Sequence, residues 1–270
     1  MGQITNFFQK VMNKAVYHYS YEAKEIRKIR RVPRYRPGNT KILGSDFTFS
    51  DSASFIGQYF TIVNDQMYNF ETASETPYII DCGANVGVSI VYFKKKYPNS
   101  EIVAFEPDKN VFAILEKNIQ SRGYDNVTLI NKGVWNHEGK IQFLTDGADG
   151  GSILTDAKEF VDKQPVAEIE TTSLKPYLNR KVDFLKIDIE GAEAIVIEDC
   201  QNLLQNVQFI FIEHHGSASE MQRLDFILSI LAKNGFRYYI ESAVIANRSP
   251  FINRYTIKNF DNFLNIYAYK

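Results

Sequence analysis

Cysteine is scarce in this chain, and the two cysteines that it has are poorly placed for chemistry. Cys82 and Cys200 are the only ones among 270 residues. The first lies at the end of a predicted strand and the second in a predicted helix. Two isolated cysteines do not indicate a disulfide framework or a zinc site. We therefore expect a protein of a reducing compartment, by default the cytoplasm.

Long apolar runs and a large net charge are missing too. The chain has no stretch of eighteen apolar residues, so no membrane-spanning helix is predicted. Residues 1–20 lack an apolar core followed by a cleavage site, which argues against a secretory signal. The formal net charge is −1, so the chain as a whole has no attraction to nucleic acid. With 44% hydrophobic and 23% charged residues, its composition is typical of a globular enzyme.

The most informative stretch of the chain is residues 78–87, which read YIIDCGANVG. The apolar run at 78–80 is typical of a buried parallel strand, and it ends at Asp81. The chain then turns between Gly83 and Gly87, and apolar residues at helical spacing follow. A strand, a glycine-containing turn and a helix in this order form the cofactor-binding opening of doubly wound α/β folds. We therefore predict an α/β protein with a cofactor at this turn.

Two residues of this stretch argue against a dinucleotide. The dinucleotide fingerprint has a second glycine two positions after the first, and here that position is Asn85. Asp81, at the strand end, would repel phosphate groups. The same carboxylate would favour a cofactor with an ammonium or sulfonium charge, such as S-adenosylmethionine (SAM). Two alternatives stay open: a dehydrogenase that uses NAD, and a non-catalytic binding protein on the same scaffold.

The next two predicted strands complete the cofactor site. Residues 101–105 form an apolar strand that ends at Glu106, nineteen residues after the last glycine of the turn. At about this distance, a carboxylate accepts hydrogen bonds from ribose hydroxyls in doubly wound folds. The end of the third strand and the segment after it are expected beside the adenine, through Asn131, Gly133 and Val134.

Two further strand ends carry acidic residues and histidines. The fourth predicted strand spans residues 182–187, and the fifth spans residues 207–212. The carboxyl ends of parallel strands meet at one edge of the sheet, where α/β proteins place their sites. The residues that follow these two strands are the candidates for acid–base chemistry: Asp188, Glu190, Glu213 and His214. The alternative is that the first two acids cap the next helix and that the histidine is structural.

The segment from about Tyr78 to Glu241 resembles the FkbM family of SAM-dependent methyltransferases. The resemblance is carried by IIDCGANVG at 79–87, FEPD at 105–108, DFLKIDIEGAE at 183–193 and FIEHH at 211–215. It implies a class I (Rossmann-like) methyltransferase fold with a seven-stranded, mostly parallel sheet. It also implies SAM as cofactor and, as acceptor, a hydroxyl of a sugar, glycolipid or other small metabolite. The predicted cofactor-binding residues are Asp81, Gly83, Ala84, Asn85, Gly87, Glu106, Asn131, Gly133, Val134 and Asp188.

Methyl transfer to a hydroxyl requires the acceptor to lose a proton. The sulfonium already activates the methyl group, so the acceptor oxygen attacks in line while a positioned base removes the proton. His214 is the first candidate, because histidine titrates closest to neutral pH. Asp188 is the second, and Glu190 and Glu213 follow, since burial would have to raise the pKa of a carboxyl group. Acidic residues can also bind a metal ion, but their spacing has no ligand signature, so no metal is predicted.

The chain divides into two predicted parts. Residues 1–76 are expected to form a helical extension or lid, and residues 77–270 the methyltransferase domain. The glycine-rich segment 146–152 is expected to be either a mobile lid or a simple hairpin loop. Two apolar segments near the end, 236–240 and 264–269, are predicted to form the antiparallel hairpin that closes the sheet of this family.

A basic helix is predicted near the beginning of the chain. Apolar residues keep helical spacing over residues 4–29. Between Lys10 and Arg36 there are nine Lys or Arg and two acidic residues, a net charge of 9 − 2 = +7. This segment is expected to contact either an anionic membrane surface or the acidic surface of a partner subunit in a homo-oligomer. The alternative is a helix whose apolar stripe packs on the core and whose charges face water.

Overall fold

The computed structural model describes residues 20–144, 152–153, 166–217, 221–243, 249, 251–252 and 260–270. The helices are α1 (Tyr21–Ile29), α2 (Ser52–Gln58), α3 (Val88–Lys96), α4 (Lys109–Gln120), α5 (Glu193–Cys200) and α6 (Leu224–Lys233). The strands are β1 (Gly38–Thr40), β2 (Phe47–Phe49), β3 (Tyr78–Cys82), β4 (Glu101–Phe105), β5 (Val127–Ile130), β6 (Gly133–Trp135), β7 (Gly139–Leu144), β8 (Ser152–Ile153), β9 (Val166–Ser173), β10 (Val182–Ile187), β11 (Val207–Ser217), β12 (Arg237–Ser242) and β13 (Phe260–Tyr269). A π-helical turn follows α2 at Tyr59–Asn64, and 3₁₀ turns lie at Lys175–Tyr177 and Gln201–Asn206.

Seven strands form the main sheet, in the spatial order β12-β13-β11-β10-β3-β4-β5. Neighbours from β11 to β5 run parallel, whereas β13 is antiparallel to both β11 and β12. The prediction of an α/β fold with a seven-stranded, mostly parallel sheet is therefore confirmed. The strand order reverses between β3 and β10, and doubly wound sheets open a crevice for ligands at this point, beyond the carboxyl ends of the strands.

Helices cover both faces of the main sheet, so its central strands are apolar on both sides. All five residues of β3 are buried. Ile79 and Ile80 are consecutive in this strand and point to opposite faces of the sheet, and both side chains are fully inaccessible to solvent. One face packs against α5 and α6, and the other against α1, α2, α3 and α4. Ring contacts link four aromatic residues on the second face: Tyr68, Phe70, Phe93 and Phe184.

The N-terminal helix belongs to this same core. α1 begins after Ser20, whose hydroxyl oxygen accepts a hydrogen bond from the Ala23 N–H at 3.1 Å. Ile26 and Ile29 are 4% and 1% exposed and belong to the cluster that contains Phe55 of α2. The part of the predicted basic helix before residue 20 lies outside the described residues. The division of the chain at residue 76 stays a prediction.

β11 is longer than its sequence predicts. We expected the fifth strand to end at residue 212, but β13 pairs with it from Phe209 to Ser217. Glu213 and His214 therefore lie inside a paired strand and point to opposite faces. The sequence did not predict this part of the strand, because a run of charged residues and histidines is typical of a loop.

A second, smaller sheet follows β5, with four strands in the order β6-β9-β7-β8. β6 runs parallel to β9, and β7 is antiparallel to both β8 and β9. Most of the predicted glycine-rich lid or loop, residues 146–151, lies outside the described residues. Within the described ranges, no helix is long and apolar enough to cross a lipid bilayer.

Candidate active site

A cavity of about 250 Å³ lies beside the carboxyl ends of the central strands. Residues from the segments after β3, β4, β5 and β10, and from β11 itself, contribute to its lining. Nine of the predicted site residues line this cavity: Gly83, Ala84, Asn85, Glu106, Gly133, Val134, Asp188, Glu190 and Glu213. The other four predicted site residues are not part of its lining: Asp81, Gly87, Asn131 and His214.

The turn after β3 brings backbone close to the cavity. Gly83 has a φ of +84°, and a Cβ built there would lie 2.0 Å from the backbone oxygen of Asp188, so the position admits only glycine. Asn85 also adopts a left-handed conformation, with a φ of +49°. Gly87, with a φ of +94°, precedes α3, and a Cβ there would meet Leu115 of α4 rather than the cavity.

Glu106 is anchored beside this turn. Its two carboxylate oxygens accept hydrogen bonds from the backbone N–H groups of Asn85, at 3.0 Å, and Asp108, at 2.9 Å. The side chain of Asn131 holds the same loop from behind, because its amide donates to the backbone oxygens of Glu106 and Pro107. Burial raises the pKa of Glu106 to about 7, although the two N–H donors favour the ionised form.

Asp81 lies behind the cavity wall and is paired with a lysine. It is fully buried, it accepts a hydrogen bond from the Ser89 hydroxyl, and its Oδ1 lies 3.3 Å from Lys186 Nζ. Lys186 Nζ also lies 3.3 Å from Oδ2 of Asp188 and donates to the Gly83 backbone oxygen at 2.8 Å. The charge that was expected to attract a sulfonium is thus balanced within the protein. The sequence feature that indicates this pairing is a lysine inside the otherwise apolar end of β10.

Burial and ion pairing act in opposite directions on Lys186. Burial lowers the pKa of this lysine, but the carboxylates of Asp188 and Asp81 outweigh it and raise the pKa well above its ordinary value. Lys186 therefore stays charged between the two carboxylates. It also lines the cavity, so a fixed positive charge lies at the point where β3 meets β10.

On the β10 and β11 side, carboxylates surround the buried ring of His215. Its Nδ1 lies 3.1 Å from Oε1 of Glu193, a carboxylate that is itself buried. Its Nε2 lies 3.8 Å from Oε2 of Glu190 and 3.9 Å from Oε1 of Glu213. Sequence reasoning did not select His215, because its partner Glu193 is 22 residues away and only the pairing of β10 with β11 brings them together.

The two acids after β10 both line the cavity. The residue before α5 is Ala192, which makes no capping hydrogen bond through its side chain. Glu190 has a φ of +55°, a conformation that residues other than glycine rarely adopt. A capping role for Asp188 and Glu190 stays an alternative prediction.

Burial and neighbouring charges shift the pKa values of this group. Burial, reinforced by the charge of Asp188, raises the pKa of Glu213 to about 7. Burial favours the neutral ring of His215, but the carboxylates of Glu190 and Glu193 outweigh it and raise the pKa of this ring well above its ordinary value. Burial alone would raise the pKa of Glu193, but His215 lowers it instead. The buried His215–Glu193 contact is therefore an ion pair.

His214 lies apart from this group. It is 4% exposed, and neither of its ring nitrogens has a hydrogen-bond partner among the residues that the structure describes. Burial lowers the pKa of its ring, so it is neutral at pH 7. It is not part of the cavity lining, although a base must come within reach of the acceptor. Its role as the base stays a prediction. Three predicted candidates remain at the cavity: Asp188, Glu190 and Glu213.

Comparisons with known proteins agree with the fold and the motifs. The family model described as "Methyltransferase FkbM domain" matches residues 81–238, which is more than half of the chain. Methyltransferase 1 of Beauveria bassiana is 25% identical over 202 residues, covering 66% of this chain and 79% of that protein. The 2-O-methyltransferase NoeI of Sinorhizobium fredii is 26% identical over 155 residues, covering 51% of this chain and 63% of that protein. The hexuronic acid methyltransferase AglP of Haloferax volcanii is 27% identical over 150 residues, covering 54% of this chain and 59% of that protein.

The matched region contains most of the residues that line the cavity. It begins at Asp81, before the glycine turn, and includes Glu106, Asp188 and Glu213. The motifs quoted from the sequence, the strand order of the sheet and the family match therefore refer to the same residues. The chain is a methyltransferase and belongs to the FkbM methyltransferase family.

Proposed function

We propose that this methyltransferase uses SAM to methylate a hydroxyl group of a sugar, a glycolipid or another small metabolite. The observation that carries the proposal is the make-up of the cavity. A glycine turn and an anchored carboxylate, Glu106, form one side, and Asp188, Glu190 and Glu213 form the other. A cofactor and an acceptor can therefore meet in one crevice, at the switch point of the sheet.

The β3 side of the cavity suits a nucleoside. The backbone approaches closely at Gly83, and the Glu106 carboxylate, fixed by two N–H donors, has lone pairs left for ribose hydroxyls. Gly133 and Val134 line the cavity as well, and the adenine is expected there. Asn85 replaces the glycine that lets a backbone approach a pyrophosphate. This side therefore fits SAM better than NAD.

The β10 and β11 side suits an acceptor that must lose a proton. SAM supplies a methyl group that its sulfonium centre has already activated. The protein then has to hold the acceptor oxygen in line with that methyl group and to take up its proton. Asp188, Glu190 and Glu213 all reach this part of the cavity. We propose that the acceptor hydroxyl binds between them.

The choice of a hydroxyl on a sugar draws on the named relatives. NoeI is a 2-O-methyltransferase, and AglP is a hexuronic acid methyltransferase. Both names describe methylation at oxygen or on a sugar acid. A sugar offers several hydroxyls to a cavity lined by carboxylates, which accept hydrogen bonds from them.

Isothermal titration calorimetry with SAM, S-adenosylhomocysteine and NAD tests the cofactor. We expect both SAM and S-adenosylhomocysteine to bind and NAD to give no heat. Glu106→Gln should bind SAM about 1–3 kcal/mol more weakly, because an amide cannot serve as a charged acceptor for the ribose. Glu116→Gln is the matched control. Glu116 is an exposed residue of α4, so this substitution makes the same chemical change outside the cavity.

Three outcomes would contradict the proposal. Heat with NAD but none with SAM would favour the oxidoreductase alternative. SAM binding without methyl transfer to any of a panel of neutral and acidic sugars would favour a binding protein. An unchanged SAM affinity in Glu106→Gln would place the cofactor elsewhere. The methylated product is identified by mass spectrometry, which also shows the position of the new methyl group.

A further inference from the structure

Three donor atoms from two elements converge beside the cavity. A carboxylate oxygen of Asp188, one of Glu190 and a ring nitrogen of His215 all lie within 4.8 Å of one another. Ligands of a single metal ion, each about 2.0–2.6 Å from it, lie about this far apart. The spacing of these residues in the sequence could not reveal the set, because His215 comes 25 positions after Glu190.

The histidine is already oriented for such a role. Glu193 lies 3.1 Å from its Nδ1, which leaves Nε2 facing Glu190 and Glu213 at 3.8 and 3.9 Å. These two separations are too long for hydrogen bonds but ordinary for two ligands that share one ion. A metal-binding histidine commonly gives its second N–H to a carboxylate, which fixes the ring. Glu193, which is 1% exposed, is in that position.

The local charge favours a further cation. Five carboxyl groups lie in this group or beside it: Asp81, Asp188, Glu190, Glu193 and Glu213. In these contacts their cationic partners are Lys186 and His215. Lys186 contacts Asp81 and Asp188 and donates to the backbone of the β3 turn, so its charge is already shared on that side.

An independent observation points to a ligand at the same place. Asn265 of β13 lines the cavity and is 7% exposed, yet its buried Oδ1 has no hydrogen-bond partner within the described part of the chain. It lies directly opposite Glu213 in the register of β11 and β13, so both side chains are on one face of the sheet. A buried acceptor without a partner costs about 1–3 kcal/mol. A hydroxyl or a metal-bound water in the cavity would supply the missing donor.

We propose that Asp188, Glu190 and His215 bind a divalent metal ion that accepts both carboxylate and imidazole ligands, such as Mn²⁺. The inference rests on the proposed function, because the ion's remaining positions would hold the acceptor hydroxyl and polarise it for methyl transfer. Asn265 would hydrogen-bond the same acceptor or a metal-bound water. His215 binds the ion as a neutral ring, so its proton is released to solvent when the ion binds.

Titration of the protein with Mn²⁺ tests the site without any need for enzymatic activity. Electron paramagnetic resonance of the free ion measures how much Mn²⁺ is bound. We expect one saturable Mn²⁺ per chain in the wild type, which Mg²⁺ or Zn²⁺ displaces. Glu190→Gln and His215→Gln should each bind Mn²⁺ at least tenfold more weakly. Glu198→Gln is the matched control, because Glu198 is an exposed carboxylate that pairs with Arg223 on the protein surface. SAM affinity is measured by calorimetry on the same samples.

Glu190→Gln decides the test if the buried His215→Gln variant does not fold, because the Glu190 side chain is 19% exposed and the change keeps its shape. No saturable Mn²⁺ in the wild type would overturn the inference, and so would equal Mn²⁺ affinity in wild type and Glu190→Gln. The proposed function fails separately, through absent SAM binding. Mn²⁺ binding without SAM binding would leave the metal site in place and refute the methyl donor.

Discussion

Gly83 lies where the β3 turn touches the end of β10, and its missing side chain makes that contact possible. A Cβ would overlap the backbone oxygen of Asp188 at 2.0 Å, and a backbone oxygen cannot rotate away as a side chain can. Positive φ alone costs a non-glycine residue about 1–3 kcal/mol. In Gly83→Ala the overlap adds to this cost and pushes Asp188 out of place. We therefore expect severe loss of stability and of SAM binding.

Gly235→Ala is the control for this prediction. Gly235 has a φ of +81°, close to that of Gly83, but a Cβ there would meet nothing within 4 Å. It should lower the free energy of unfolding by the backbone cost alone and leave SAM affinity unchanged. Urea unfolding and calorimetry measure both quantities. Equal effects for the two variants would show that the contact with Asp188 is unimportant.

The pKa of Glu106 predicts how SAM affinity depends on pH. Burial raises the pKa of this carboxyl to about 7 in the free protein. Only the ionised form is a charged acceptor for ribose hydroxyls, so protonation competes with binding. SAM affinity should therefore rise as pH increases through 7 and fall by up to about tenfold for each pH unit below it. Calorimetry between pH 5.5 and 8.5 measures this slope, and in Glu106→Gln it should be absent.

His214 gives a prediction opposite to the one that its sequence position suggests. The ring is buried and lies outside the cavity lining, and its two nitrogens have no hydrogen-bond partner in the described ranges. Replacing a buried unpaired polar group by an apolar one is close to neutral or stabilising. His214→Leu should therefore keep turnover within about threefold and lose no thermal stability. A loss of 10²–10⁴ in turnover with normal SAM affinity would instead identify His214 as the base.

At the scale of single residues, local motifs predicted more than long-range contacts did. The glycine turn and Glu106 could be located because each follows an apolar strand directly. The sequence could not show that Lys186 neutralises Asp81, or that His215 meets Glu193, because these contacts depend on which strands become neighbours. Such pairs form only when the sheet has its final order.

At the scale of elements, α1 shows how an apparently separate segment becomes part of the core. Its apolar stripe predicted either a docking helix or one that packs inward, and the residues from 20 onward pack inward. Lys24, Arg30 and Arg31 remain exposed. Contact with an anionic membrane or an acidic subunit through these side chains stays a prediction. It would be mainly electrostatic, because Ala23, Ile26 and Ile29 of α1 are already buried.

Ile26→Ala tests whether α1 is integral to the fold. Ile26 is 4% exposed and packs in the aromatic-rich face of the core, so the truncation leaves a cavity. We expect it to lower the free energy of unfolding by about 2–5 kcal/mol. Lys24→Ala, an exposed change on the same helix, should alter it by less than about 0.5 kcal/mol. A similarly small effect for Ile26→Ala in urea unfolding would mean that α1 is only loosely attached.

β11 shows the limit of periodicity at the scale of a strand. Its first half is apolar and was predicted, but its second half carries Glu213, His214 and His215. Pairing with β13 supplies the backbone hydrogen bonds that keep this half extended. The partner is about 50 residues away in the sequence, so no local pattern could predict the extension. The extension brings Glu213 and His215, on one face of the strand, to the cavity side.

For the whole molecule, sheet order converts scattered motifs into one site. β3 and β10 are separated by about 100 residues, yet they are neighbours at the centre of the sheet. The turn after one and the acids after the other therefore face a single crevice. The fold was predictable because apolar strands and glycine turns alternate with helices. The arrangement of the charged groups after β10 and on β11 was not predictable, since these groups come together only when the chain folds.

The most direct test of the proposed methyl-transfer site is a crystal structure of the protein with S-adenosylhomocysteine. We predict that the ribose hydroxyls lie within about 3 Å of the Glu106 carboxylate and that the adenine lies beside Gly133 and Val134. The sulfur should point toward Asp188 and Glu190. Density for the ligand at another surface, or a bound ligand whose ribose does not touch Glu106, would contradict the assignment of this cavity as the methyl-transfer site.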